Sequence, residues 1–243
     1  MPAQLPGQDP VTFEDAVERV PFFRALDASD RERLRPHVEL RRLPKSGHVW
    51  SQGDATSSFG FVVHGRIKLF KTSEEGKESI VDLCGSGALL CASAVSCFAP
   101  YCCSAGAMED EVEVALVPRR DLLDLLDRSP AAGRAFLREV TVRGMSLCQR
   151  VEELSTGQVE RRIATLLLRL ADQVGVPRRG EGTWIPIALS RQDLADLCGT
   201  TIETAIRVMT RFRREGVVRS AARGLVVTDR SSLERTARGA RGD

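Results

Sequence analysis

The sequence predicts an α+β chain: an N-terminal antiparallel β-roll of the double-stranded β-helix or jelly-roll kind, a long dimerisation helix, and a C-terminal winged helix-turn-helix. Three observations predict it. Short apolar runs punctuated by glycines at 47, 53, 65, 76, 85 and 87 fill the region from Val38 to Val117. A helical run without an internal breaker follows from about Ala131 to Ser155. Near the C-terminus, two helix-start signals flank a short turn at Gly199.

The chain of 243 residues has room for one large or two modest domains, and its 42% hydrophobic content is ordinary for a globular protein. No apolar run approaches the roughly 18 residues of a membrane span, and the start, MPAQLPGQDPVTFEDA, lacks the basic and apolar regions of a signal peptide. The expected setting is the reducing cytoplasm, where seven cysteines suggest metal or redox chemistry more than structural disulfides.

Residues 1 to about 12 carry three prolines and a glycine and read as part of an N-terminal arm, 1–21. Short helices are expected at Phe13 to Val20 and at Ser29 to Pro36, the second with Ser29 as N-cap and Glu32 three residues on. The sensor roll is placed at 22–128. Within it FGFVVHGRIKLFKT alternates apolar and polar, with Phe61, Val63, Ile67 and Leu69 on one face. Glu74-Glu75-Gly76 is a turn, Ser79 to Leu83 a strand, and EVEVALVP a strand that Pro118 ends. Arg119 to Arg128 is helical.

The dimerisation helix is placed at 129–156. Phe136, Val140, Leu147, Val151 and Leu154 form a narrow coiled-coil-like stripe, read as a seam with a second copy; the bland alternative is a face packed on its own domain. Gly157 breaks the run. The segment 157–243 then supplies a helix from Gln158 to Val174, a Pro/Gly/Arg loop from Val176 to Thr183, and the helix-turn-helix.

That last motif, RQDLADLCGTTIETAIRVMTRF, is the strongest signal. Ser190 with Asp193 and Thr200 with Glu203 form two capping boxes. Ala195 is small where the helices would cross, and Leu194, Leu197, Ala205 and Val208 would pack between them. The second helix offers Thr201, Ile202, Glu203, Ile206 and Arg207 at its exposed start. Arg207 suits guanine O6 and N7, and Glu203 suits cytosine N4. Arg191, Gln192, Thr200 and Thr201 are candidates for positioning contacts such as those to phosphates. From Pro186 onward 11 Arg face 7 acidic residues, and Arg207, Arg211, Arg213 and Arg214 fall within eight positions, an electrostatic footprint for phosphates. VVRSAARGLVVTD reads as a hairpin wing.

The chain resembles the Crp/Fnr family of bacterial transcription regulators over nearly its whole length. The residues that carry the likeness are HGRIKLFK, GSGALL and LSRQDLADLCGTTIETAIRVMTRFRREGVV. The resemblance implies a regulator, not an enzyme, that binds a near-palindromic operator as a homodimer, with double-stranded DNA, a second copy and RNA polymerase as partners. The family's recognition Glu and Arg fall on Glu203 and Arg207, while a base-reading Arg of the cyclic-AMP branch is Ile202 here. The Gly-Glu pair that holds a nucleotide ribose is Cys91-Ala92, and the Arg-Ser or Arg-Thr pair that holds the cyclic phosphate is Tyr101-Cys102. An anionic phosphate needs a cation and donors, so cyclic-nucleotide binding is not expected.

Five cysteines, Cys84, Cys91, Cys97, Cys102 and Cys103, gather in this effector region instead. An iron–sulfur cluster would take four thiolates, although residues 1 to 83 lack the N-terminal cysteines of the Fnr branch. Haem is the second candidate: the carbon-monoxide-sensing branch uses a Cys at the Cys91 position and an N-terminal proline, here Pro2, but its histidine is Ser93 here; His64 is a further ligand candidate. A cofactor-free thiol switch is the third. Cys102 and Cys103, taken as strand neighbours, would point to opposite faces and pair instead with Cys91 or Cys97. Zinc is the fourth, without a C-x₂-C spacing to support it. The bland alternatives are an unknown small ligand and cysteines that only fill a core. Cys148 and Cys198 are read as packing residues, and His37 and His48 as surface or strand residues. A thiol oxidoreductase, which would want C-x-x-C, and a protein-binding module are rivals from other classes.

Overall fold

The computed structural model describes residues 11–76, 78–92, 100–155 and 158–239, without the side chains at 149–150 and 153–155. Pro2, Cys97 and the Gly157 break lie outside the described residues, and Leu154 outside the described side chains. The chain divides into two compact units between Met145 and Ser146, so the divide falls inside the long helix.

The first unit opens with α1 (Phe13–Arg19), capped by a reciprocal Thr12–Asp15 pair, and α2 (Pro21–Ala25) with proline at its first position. α3 (Ala28–Leu34) is capped two residues earlier than the Ser29 reading. Asp27 is the cap, its carboxylate accepting from the Asp30 N–H at 2.8 Å; a carboxylate at the positive end of the helix is favoured twice over, as acceptor and as charge.

Two antiparallel sheets form the roll. β1 (Glu39–Leu43), β7 (Val112–Pro118) and β3 (Ser58–His64) make one; β2 (His48–Trp50), β6 (Ser104–Ala107), β4 (Ile67–Thr72) and β5 (Glu78–Cys84) make the other. β3 does not alternate as expected: Phe59 to Val63 are all buried. Its second face is covered by helices, with Phe22 stacked on Phe61 at 5.2 Å and Phe136 edge-on to Phe59 at 5.6 Å. Strands covered on both faces lose the polar half of their pattern. In β4 Leu69 and Phe70 are both buried: Leu69 joins the core, while the Phe70 ring is covered by Lys68 at 4.4 Å and His48 at 5.6 Å.

α4 (Arg119–Arg128) follows directly on Pro118, and α5 (Pro130–Ser155) is the long helix. The anticipated stripe splits. Phe136 is buried in the roll's own core and Val140 packs against it, whereas Leu147 and Val151 are exposed. The outward face instead carries Leu137, Thr141, Gly144, Cys148 and Val151, at alternating four- and three-residue steps. Cys148 is exposed there in the single chain.

The second unit contains α6 (Val159–Val174), β8 (Val176–Arg178), β9 (Gly182–Ile185), α7 (Arg191–Leu197), α8 (Ile202–Arg214), β10 (Val218–Ala221), β11 (Gly224–Val227) and α9 (Arg230–Ala237). The stretch read as a Pro/Gly/Arg loop is a hairpin, its turn relying on Gly180 (φ +76°) and Gly182 (φ +103°) and Arg178 lying over the Trp184 ring at 4.5 Å. That hairpin extends the wing into a four-stranded sheet in the order β10-β11-β9-β8. Among the described residues no helix is long and apolar enough to cross a membrane.

Candidate nucleic-acid interface and cysteine cluster

Ser190 and Asp193 cap α7 reciprocally, at 2.7 and 3.0 Å. Leu194, Ala195, Leu197, Cys198, Ala205, Val208, Met209 and Phe212 are buried, so the α7–α8 crossing is an apolar contact with a small residue, Ala195 and Ala205, on each helix. The second cap sits one residue later than the sequence reading. Thr201 accepts from the Thr204 N–H, whereas the Thr200 N–H closes back on the Ala195 carbonyl at 2.9 Å and belongs to the turn. Glu203 is therefore the second helical residue and not the box partner. Its carboxyl is held below the ordinary value by its own N–H at the helix start and by Thr201.

One residue that the sequence reading missed fixes this turn. Arg162 of α6 donates to the Cys198 carbonyl at 2.8 Å and the Gly199 carbonyl at 3.2 Å. Helix-terminal carbonyls are otherwise unsatisfied, and a guanidinium fork suits two at once. A single Arg thirty-six residues away in sequence gives no local signal.

The arginine cluster divides in two. Arg211 is tied to Glu160 and Glu215, a framework role. Arg207 and Arg214 are exposed and in no ion pair among the described residues; with Gln158, Thr204 and Thr210 they line an open groove along α8. Thr201, Ile202 and Glu203 are exposed at the start of the helix, and Arg191 at the start of α7. Gln192 is half-buried and donates to Asp196 at 2.6 Å. The exposed set runs along α8 from Thr201 at its start to Arg214 at its end, with Arg191 at the start of α7.

In the roll, Cys84 ends β5 and Cys91 follows the bridge from Leu89 to Phe61; both are buried. Cys102 and Cys103 are not strand neighbours. They sit in a bend before β6, Cys102 exposed and Cys103 buried, with sulfurs 3.9 Å apart. Burial pushes the Cys103 thiol up to about 12, with Cys102, Cys91 and Cys84 adding to the effect. Cys84 is likewise pushed up to about 12 by burial, against the pull of Arg143. Arg143 comes from α5, meets Asp82 at 2.5 Å and hydrogen-bonds Cys84.

Tyr101 occupies the place read as the phosphate-binding Arg. Its ring stacks on Trp50 at 4.2 Å, and its hydroxyl donates to the Ser58 carbonyl at 2.7 Å while accepting from the Ser58 N–H. Gly60 is required nearby, since a Cβ there would lie 2.9 Å from Leu90 and Trp50. The position thus offers an occupied aromatic stack and no cation.

Two family models match the chain: the cyclic nucleotide-binding domain over residues 40–129 and the Crp-like helix-turn-helix domain over residues 161–236. The chain belongs to the Crp/Fnr family. This Crp/Fnr-type transcriptional regulator is 29% identical over 219 residues to the cyclic AMP receptor protein of Thermus thermophilus, covering 90% of this chain and 97% of that one. It is 26% identical over 212 residues to the nitrogen fixation regulation protein FixK of Bradyrhizobium diazoefficiens, covering 86% of each. Among solved structures, FixK2 of Bradyrhizobium japonicum superposes with a TM-score of 0.70 at 21% identity, over 82% of this chain and 96% of that one. A CRP-family transcriptional regulator of Thermus thermophilus gives 0.71 at 22%, over 81% and 96%. These superpositions show the shared fold.

The described donors do not fit a resident metal group. No three Cys, His, Asp or Glu side chains among the described residues are placed to hold a metal ion. His64 is exposed at the end of β3, and Pro2 lies outside the described residues, so neither is shown beside Cys91.

Proposed function

We propose that this regulator acts as a homodimer on a near-palindromic operator and that its roll answers a thiol-directed redox or gaseous signal without cyclic nucleotide. The reading is carried by one observation: Arg143 of α5 is anchored on Asp82 and Cys84, beside the cysteine-rich bend. A chemical change at these thiols alters what Arg143 holds, and so biases the helix on which the second copy would pack. The signal shifts such an equilibrium only by its differential affinity for the two states. On the DNA side Arg207 reads a base edge, Glu203 accepts from a cytosine, and Arg191, Thr201 and Arg214 neutralise or bond phosphates. RNA polymerase is the partner expected on family grounds.

Anaerobic purification followed by an absorption spectrum, iron and zinc analysis, and DNA affinity before and after mild oxidation tests this. The expected result is a colourless reduced protein whose DNA affinity changes on thiol oxidation and falls steeply with salt. A Soret band, or visible absorption with iron and sulfide, would replace the thiol mechanism by haem or a cluster. Salt-independent binding would remove the DNA assignment.

A further inference from the structure

We propose that Cys102 and Cys103 form a vicinal dithiol site that captures trivalent arsenicals, such as arsenous acid or an organic arsine oxide, through two arsenic–sulfur bonds. The proposal deepens the reading above, in that it rests on the cysteine-rich bend being the sensing region and names what it would take.

The geometry comes first. The two sulfurs are 3.9 Å apart. Two metal–sulfur bonds of about 2.3 Å at a tetrahedral centre span about 3.8 Å. Arsenic–sulfur bonds are of comparable length, and the narrower angle of a pyramidal arsenic asks for a small further closure. The exposed Cys102 can supply that by side-chain rotation. A disulfide between the same sulfurs is harder to make. Neighbouring Cα atoms lie about 3.8 Å apart across a trans peptide, short of the roughly 4.4–6.8 Å that disulfides span.

The bend is also held in place. On one side Tyr101 exchanges backbone hydrogen bonds with Gly53 and Asp54 at 2.9 Å each. On the other, the Cys103 carbonyl accepts from the Trp50 indole at 3.1 Å, and the Ser104 hydroxyl accepts from the Gln52 N–H at 2.9 Å. Pre-positioning of two donors lowers the ordering cost of a chelate.

Chemistry then selects the ligand. A divalent cation usually takes three or four ligands, and no group of three is assembled among the described residues. Two thiols suffice for arsenous acid. Two S–H and two As–O bonds break, two As–S bonds form, and both thiol protons leave in two waters. The arsenic stays trivalent, its third hydroxyl remains, no charge enters the buried side of the site, and no oxidant is required. Thiolate-type sulfur is the matching soft partner.

The test uses the reduced full-length protein, handled anaerobically, with phenylarsine oxide followed by intact mass. A one-to-one adduct is expected that withstands glutathione and is removed by 2,3-dimercaptopropanol. Cys102→Ser, at an exposed position, should lower the apparent affinity about 10²–10⁴-fold, the loss of a chelate, while Cys148→Ser leaves it unchanged. Absence of the adduct, stripping by glutathione, or wild-type affinity in Cys102→Ser would overturn the site. DNA affinity measured on the same samples, with a duplex selected by the reduced protein, separates the two readings. An adduct with unaltered DNA affinity upholds the site and removes its sensing role. An oxidation response without an adduct upholds the sensor and removes the site.

Discussion

At the residue scale the cysteines are unequal, and that inequality is measurable. Cys102 and Cys148 are exposed, while Cys84, Cys91, Cys103 and Cys198 are buried. Brief iodoacetamide treatment at pH 8 should mark Cys102 and spare the four buried thiols, as peptide mass mapping would show; early labelling of Cys84 or Cys103 would contradict the packing. The pH dependence follows from the same burial. Both thiols sit near 12 in the folded chain against an ordinary 9.0. Above pH 9 the unfolded chain has released protons that the folded one retains, so unfolding gains in proportion. The contribution is intact below about 9 and is lost as pH rises toward 12. Denaturant melts from pH 8 to 11 should show stability falling, and Cys84→Ala should flatten part of that slope. The identities of these residues were visible in the sequence. Their environments were not, because the Cys102–Cys103 bend depends on Trp50 and Asp54, half a domain away in sequence.

At the element scale the helix-turn-helix was the most legible part, and the reason is local. Ser190 and Asp193 announce α7 within four residues. The start of α8 was read one residue early because Thr200 and Thr201 are equally good caps by type; only the tertiary closure of Thr200 on Ala195 decides between them. Thr201→Ala should therefore cost about 0.5–2 kcal/mol in thermal or chemical unfolding of this unit, and Thr200→Ala distinctly less. Arg162→Ala removes two charge-assisted bonds to the turn, worth about 1.5–3 kcal/mol. It should weaken DNA binding although Arg162 sits behind the turn, not on the exposed end of α8. Arg207→Ala should instead leave stability alone and remove about 1–3 kcal/mol of base discrimination per half-site, read by competition among single-base operator variants. The β-roll was legible as a class and not in detail. β3 is buried on both faces, and the short β6, Ser104-Ala105-Gly106-Ala107, has composition that signals no strand. Both owe their state to neighbours, Phe22, Phe23 and Phe136 in one case and β2 and β4 in the other.

At the scale of the whole molecule the question is how a second copy would pair. Periodicity found a stripe on α5 but chose the row containing Phe136 and Val140, which the chain uses for itself. The row left outward is Leu137, Thr141, Gly144, Cys148 and Val151, with Met145 and Leu147 beside it, and Leu137, Met145 and Val151 are each at least 60% exposed. Alternating steps of four and three residues keep such a row on one side of a supercoiled helix. An apolar strip of that length on a lone chain is a liability unless a partner covers it. The two rows can be told apart. Phe136→Ala should destabilise the roll by about 3–5 kcal/mol. Leu137→Glu with Val151→Glu should leave the monomer's melting little changed and shift the mass in sedimentation from dimer to monomer. Parallel two-fold pairing also sets each seam residue against its own copy, so Cys148 would face Cys148, with Gly144 one turn away allowing close approach. Mild oxidation should then give a reductant-sensitive cross-linked dimer that Cys148→Ser abolishes and Cys102→Ser does not. An antiparallel pairing would separate the two sulfurs and give no such band.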